Sequence, residues 1–246
     1  NILNTTTLFE NPLEEITEIR NIEDVDAAAE KLRDKWNIGD NPISSCVELL
    51  EDNNIKVISM DFEDSFDGLQ AVVNGKVPVI AYNRIKLKSP DRIRFTILHE
   101  LGHLLLPIGH LPEKQKETIC HQFAGSLLIS KKSALKELGE RRSRLMIEEL
   151  GELKKEYGIS IQALVMRARD LGIVTKSFCK SFFFMFNQIP DWKANEPIQY
   201  QGKEQSTRFN QLVFRAIAEN LISINKAAVL KNQTVADFRQ NSLVIG

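Results

Sequence analysis

The chain has 246 residues, of which 43% are hydrophobic and 26% are charged, and its formal net charge is -1 at pH 7. This composition is typical of one medium globular domain, alone or with a small appendage. A charge so close to zero excludes a global basic surface for nucleic acid or for an anionic membrane.

The three cysteines lie far apart in the chain, and no CxxC pair occurs: Cys46, Cys120 and Cys179. Their odd number and wide spacing argue against a disulfide framework and against a zinc site built from cysteines. A reducing compartment, the cytoplasm, is therefore the expected location. The longest aromatic run, residues 182–186, is far too short to span a bilayer, so no membrane contact is expected.

The first part of the chain is predicted to contain a tail and two helices. Residues 1–21 are mostly polar and are expected to form a tail or linker. Apolar residues then recur at helical spacing over residues 24–36, and Gly39 follows as a stop. An Asn-Pro pair is typical of a helix start, so we expect a second helix over residues 41–52.

Strands are predicted next. Residues 55–60 alternate between apolar and polar, and an Asn-Gly pair joins the apolar runs 69–73 and 77–82 as the turn of a β-hairpin. Pro78 lies in the second run and has no backbone N–H to donate, so one side of that strand is expected to be unpaired at this residue. An open edge there would hold an extended peptide by strand addition.

The remainder of the chain has mostly helical patterns. Ser89 and Pro90 are typical of a helix start. The predicted helices cover about residues 89–105, 112–128, 131–138, 144–157, 160–171 and 175–187, with two shorter ones within 208–239. Residues 190–207 are polar and irregular, which indicates a linker. We therefore expect a tail (1–21), one domain (22–189) and a small helical extension (190–246).

All four histidines lie between positions 99 and 121. Two of them, His99 and His103, form an HExxH motif with Glu100 between them. On a helix, residues four apart project from one face, so both imidazoles can bind one metal ion, while Glu100 can take a proton from an attacking water. A five-residue motif can arise by chance. The helix start before this motif and the apolar residues around it favour a metal site over two histidines that only pack in the structure.

A catalytic zinc site needs three protein ligands and one open position. The next predicted helix contains Glu113, Glu117 and His121, and the last two lie one turn apart on one face. We predict Glu117 as the third ligand. His121 is either a rival ligand or a donor to the oxyanion of the transition state, and Glu113 is a partner of the helix dipole. Tyr82 is a second candidate donor, although a packing role fits it equally well.

Residues 36–171 resemble the ImmA/IrrE family of metallo-endopeptidases. Four segments carry the resemblance: FDGLQAVVNGKVPVIAYN, RIRFTILHELGHLLL, ETICHQFAGSLLIS and LKKEYGISIQALVMRARDLGIV. The resemblance implies that His99, His103 and Glu117 bind zinc and that Glu100 is the base. Many relatives have an Ala-Asn pair where this chain has Cys120-His121, which leaves the role of His121 open.

Pattern and resemblance together predict an α+β fold. In it a small antiparallel sheet with a hairpin lies beside a zincin-like HExxH helix, followed by a mostly helical C-terminal half. The resemblance also implies an intracellular zinc endopeptidase that cleaves a helix-turn-helix repressor and so relieves repression. Many relatives carry a DNA-binding domain ahead of the protease, and a chain that begins with Asn1 rather than Met leaves room for one.

Two alternatives remain open. One is a non-enzymatic zinc-containing regulator or DNA-binding module, because the helices within 208–239, or those within 153–171, would fit a minimal helix-turn-helix. Basic residues suited to a DNA groove are few, so direct DNA contact is not expected. The other is a small-molecule zinc hydrolase, which would need a closed apolar pocket. The intact Glu100 favours an enzyme, because a degenerate site is expected to lose its base first.

Overall fold

The computed structural model describes residues 9–63, 66–192 and 195–240. The chain divides into two compact units, one formed by Phe9–Glu204 and a second that includes the described residues from 205 onward. Among the described residues, no helix combines the length and the apolar character that crossing a membrane requires. The domain boundaries drawn from the sequence stay a prediction; in the structure Leu13 and Ile19 are buried in the core, and Glu204 still belongs to the first unit.

Two capped helices open the first unit. Helix α1 (Ile22–Lys35) begins after Asn21, whose side chain accepts the N–H of Asp24, and it buries an apolar face that includes Ala28 and Leu32. Helix α2 (Cys46–Asp52) begins after Ser45. It is shorter than predicted because the capping side chain is Ser45, which accepts the N–H of Glu48, rather than the earlier asparagine.

Three strands form one sheet in the order β1-β3-β2: β1 (Lys56–Met60), β2 (Gly68–Val73) and β3 (Val77–Asn83). The predicted α+β class and the β2–β3 hairpin are confirmed. The sheet is mixed rather than purely antiparallel, because β1 pairs parallel to β3. Strands β1 and β2 lie on opposite sides of β3 and run in opposite directions.

The β1 side of β3 is unpaired at Pro78, as expected, but the strand has no open edge for a peptide. Strand β3 is the central strand, paired with a neighbour on each side. Pro78 lies opposite Val72 of β2, whereas the pairing with β1 begins only at Val79. The missing N–H of the proline therefore costs no bond to β1. The edge beside the hairpin turn belongs to β2 instead.

Six helices follow in the first unit: α3 (Pro90–Leu105), α4 (Glu113–Leu128), α5 (Lys131–Leu138), α6 (Ile147–Tyr157), α7 (Ile161–Asp170) and α8 (Lys176–Gln188). Side chains of Ser130, Ser160 and Thr175 cap three of them. The core of the unit lies between α1, α3, α4 and the sheet. The second unit contains α9 (Arg208–Ala218), α10 (Ile224–Leu230) and α11 (Val235–Gln240) around a separate small core. A mostly helical C-terminal half is thus confirmed.

Candidate active site

Helices α3 and α4 approach closely at Gly102. A Cβ at this position would stand 3.1 Å from Sγ and 3.3 Å from Cα of Cys120. Glycine therefore allows a backbone approach that a larger residue would prevent. Because Glu117 lies almost one turn before Cys120, this approach brings its carboxylate against the histidines of α3.

Three side chains from these two helices converge on one point. The Nε2 atoms of His99 and His103 are 3.2 Å apart. The carboxylate of Glu117 lies 3.3 Å from Nε2 of His99 through Oε2 and 3.1 Å from Nε2 of His103 through Oε1. All the candidate ligand atoms lie within 4.8 Å of one another. The structure thus brings the three residues predicted as metal ligands together.

This donor set fits a tetrahedrally bound cation. Zinc binds imidazole nitrogen and carboxylate oxygen at about 2.0–2.2 Å, so neighbouring ligand atoms of a tetrahedron are about 3.3 Å apart. The observed separations of 3.1, 3.2 and 3.3 Å match that edge length. Two nitrogens and one oxygen also leave a fourth position open, as catalytic zinc sites require.

The electrostatics of His99 favour the metal-binding form. Burial, together with the nearby His121 and His103, lowers the pKa of His99 to about 3. The ring is therefore neutral at pH 7 and has a lone pair for a metal ion. Its Nδ1 is buried and has no hydrogen-bond partner among the described residues.

Glu100 lies beside the three donors. Burial, together with the carboxylates of Glu117 and Asp67, raises the pKa of Glu100 to about 7. Strand β2 passes close to Glu100. A Cβ on Gly68 of this strand would stand only 3.1 Å from Oε1 of Glu100 and 2.6 Å from Cγ2 of Thr96. A carboxyl group with a pKa near 7 can both accept and return a proton at neutral pH.

The other candidate residues of the site lie in different places. Nδ1 of His121 is 2.6 Å from the carbonyl oxygen of Glu117, and its ring centroid is 4.4 Å from that of His99. His121 lines the same cleft but does not belong to the group of three donors. Tyr82 is buried in the core and does not line the cleft. Burial raises the pKa of Tyr82, and its side chain hydrogen-bonds to Ser59.

The candidate metal centre lies in an open cleft of about 1130 Å³. Strand β2 and helix α3 line one side, and α4, α7 and the segment 195–204 also contribute. The sequence offered no signal for Gln162, Glu196 or Gln199 as lining residues. Their positions depend on the packing of α7 and of an irregular segment, which leaves no periodic pattern in the sequence.

Part of the chain matches a known protein family. Residues 50–169 match the model of Peptidase_M78, the IrrE N-terminal-like domain. A structure of a Mycobacterium tuberculosis transcriptional regulator aligns with 16% identity over 61% of this chain, with a TM-score of 0.41, and the aligned part spans 47% of that protein. No curated protein matches the chain significantly. The matched range contains the HExxH helix and Glu117, so residues 50–169 of this chain belong to the Peptidase_M78 family of IrrE N-terminal-like domains.

Proposed function

We propose that this chain is a zinc-dependent endopeptidase that hydrolyses a peptide bond in a protein regulator, a helix-turn-helix transcriptional repressor. The observation that carries the proposal is the convergence of His99, His103 and Glu117 within 4.8 Å, beside the partly buried carboxyl of Glu100. His99, His103 and Glu117 would hold the zinc ion. Bound zinc would supply a Lewis acid that polarises the scissile carbonyl and makes water more acidic.

Glu100 is the general base and acid of the proposed reaction. Its carboxylate takes the proton of the attacking water and returns it to the nitrogen of the leaving amine. His121 is the candidate for stabilising the oxyanion. Because its Nδ1–H donates to the carbonyl oxygen of Glu117, Nε2 is the nitrogen left for the substrate, and it donates to the oxyanion when both ring nitrogens carry a proton. Tyr82 has no part in the proposal, because its side chain is buried in the core.

The shape of the cleft favours a peptide over a small molecule. Gly68, Leu69 and Gln70 of the edge strand β2 line it, and an edge strand has backbone N–H and C=O groups that can pair with an extended chain. Small-molecule sites enclose most of their ligand, whereas this cleft is partly open to solvent. That the peptide belongs to a helix-turn-helix repressor rests on the ImmA/IrrE resemblance.

Removing the third ligand tests the metal centre. We expect Glu117→Gln to lower zinc affinity by more than about 100-fold, since loss of a mere supporting hydrogen bond already costs about 10- to 100-fold. The matched control is Glu113→Gln, an exposed glutamate one turn earlier on α4. Competition with a chromophoric chelator measures the zinc affinity of both variants. Equal affinities for the two variants would exclude Glu117 as a ligand.

Cleavage of a repressor tests the substrate. Zinc-loaded protein is incubated with the helix-turn-helix repressor encoded beside its gene, and products are mapped by mass spectrometry. We expect cleavage that stops on chelation and returns on addition of zinc. An intact repressor after incubation with fully zinc-loaded protein would reject this substrate and would favour a non-enzymatic regulator.

The close crossing of β2 over Glu100 predicts a specific sensitivity at Gly68. In Gly68→Ala the new Cβ would stand 2.6 Å from Thr96 Cγ2 and 3.0 Å from Glu100 Cγ, so Thr96 must move and the Glu100 side chain must give by a few tenths of an ångström. A displacement near 1 Å at a catalytic group costs up to about 100-fold in rate. We expect kcat to fall while zinc affinity is unchanged. Gly109→Ala is the control, since a Cβ there meets no atom within 4 Å; equal kcat for the two variants would refute the effect.

A further inference from the structure

The segment 195–204, here called the strap, is held to the rest of the first unit by two buried glutamates. It is irregular, and its sequence is typical of a linker. Nevertheless Glu196 is only 6% exposed and Glu204 only 3% exposed. A solvated linker would leave these carboxylates in water, because burial of an unpaired charge is costly. Each of them is instead matched by several donors.

Glu196 attaches the first end of the strap to α7. Its Oε2 accepts the N–H of Ile161 at 2.7 Å and the ammonium of Lys154 at 2.9 Å, and its Oε1 accepts the N–H of Gln162 at 3.0 Å. The N–H groups of Ile161 and Gln162 lie in the first turn of α7 and have no acceptor within the helix. A negative charge is favourable at this end of a helix. Lys154 also pairs with Asp91 of α3 at 3.1 Å, so this end of the strap is linked to the metal-binding helix.

Glu204 attaches the other end. Its Oε1 accepts from Nη1 of Arg94 at 2.6 Å, and its carboxylate also accepts the N–H groups of Cys46 and Val47 at the start of α2. Arg94 lies on α3 and is itself buried. Its guanidinium is 5.1 Å from the ring centroid of Tyr200 in the middle of the strap. The strap is thus tied at both ends to the first half of α3.

This attachment makes the strap a fixed part of the cleft wall. Glu196 and Gln199 line the cleft, together with Gln162 of α7. Glu196 is joined through Lys154 to Asp91, eight positions before His99, and a helix rises about 1.5 Å per residue. Asp91, to which the strap is joined, therefore lies about 12 Å along α3 from His99. An extended peptide covers this distance with about three to four residues.

We propose that the strap forms a remote substrate subsite, in which Gln199 binds the peptide backbone about three to four residues from the scissile bond. This inference rests on the proposed peptidase function and adds a length requirement to it. Nε2 of Gln199 donates to the carbonyl oxygen of Glu196 at 2.7 Å, which orients the amide and leaves Oε1 as an acceptor for a substrate N–H. Binding energy from such a remote contact can contribute to catalysis at the scissile bond.

The test compares peptides of different length. A mixed library of synthetic peptides is incubated with the zinc-loaded full chain, and one cleaved peptide is shortened a residue at a time from either end. We expect kcat/KM to drop when the residue about four positions from the cut bond is removed on one side. Gln199→Ala should lower kcat/KM about fivefold on peptides that retain this residue and leave shorter peptides unaffected. Gln201→Ala, an exposed strap glutamine that does not line the cleft, is the matched control.

The outcomes separate the subsite from the proposed function. A loss confined to long peptides and to Gln199→Ala supports the subsite. A Gln199→Ala variant that acts like wild type, or that loses the same factor at every length, overturns it while the peptidase function stands. Absence of any cleavage by zinc-loaded wild type overturns the proposed function, and the subsite with it. Gln199→Trp gives a second readout, since a larger side chain should block long peptides and spare short ones.

Discussion

Replacing Glu100 by glutamine is expected to abolish measurable cleavage and to leave zinc binding intact. Glutamine keeps the shape of the side chain but cannot take a proton from water, and general-base catalysis is worth about 10²- to 10⁴-fold in rate. The three ligand atoms belong to other residues, so the metal centre stays complete. Because burial and the neighbouring Glu117 and Asp67 disfavour a charge at Glu100, removing that charge should not lower the stability of the fold.

Three measurements on the same preparation check this prediction: zinc content, kcat/KM on a cleaved peptide, and Tm. Glu113→Gln makes the same chemical change at an exposed cleft residue and should retain wild-type activity. A Glu100→Gln variant that binds zinc and still cuts at the wild-type rate would rule out Glu100 as the base. Loss of zinc together with activity would mean instead that Glu100 supports the metal centre.

Replacing Glu204 by alanine is expected to lower the free energy of unfolding of the first unit by about 3–5 kcal/mol. The variant leaves Arg94 buried without the carboxylate that lies 2.6 Å from it, and it removes the acceptor for two N–H groups at the start of α2. A buried charge that loses its partner cannot recover its hydration. The effect should therefore far exceed that of an exposed strap residue such as Lys203.

Urea unfolding followed by tryptophan fluorescence measures this loss. Both tryptophans, Trp36 and Trp192, belong to the first unit, so the signal reports on that unit. Lys203→Ala is the control. The double variant Arg94→Met, Glu204→Leu should recover part of the stability, because neither charge is then buried alone. A loss below about 1 kcal/mol in Glu204→Ala would show that the pair contributes no more than an exposed ion pair.

Local sequence signals were sufficient for the HExxH helix. Ser89 and Pro90 mark its start, and the spacing of His99 and His103 places two imidazoles on one face. Glu117 was also predictable, because the return from α3 to α4 is short and offers few carboxylates. These inferences succeed because helix caps and helical spacing are encoded by residues that are close together in the chain.

The pairing between distant segments has no such local sequence signal. The sequence identified the hairpin from its Asn-Gly turn but could not show that β1 joins β3 in parallel, which makes β2 the edge that lines the cleft. Tyr82 illustrates the consequence. It was a candidate for the site from its position before the active helix, but its direction depends on which face of β3 meets the core, and there it is buried.

By itself, the sequence determined the HExxH helix, the α+β class, the hairpin and the candidate ligands, because each depends on backbone preferences and spacing within a few turns or strands. Only the tertiary structure decided the strand order, the burial of Tyr82 and the incorporation of the strap. Glu196 and Glu204 have the sequence context of solvated linker residues, and their burial depends on Lys154, Arg94 and two helix starts far away in the chain. Charge pairing over such distances depends on the completed fold, so no local pattern of residues can reveal it.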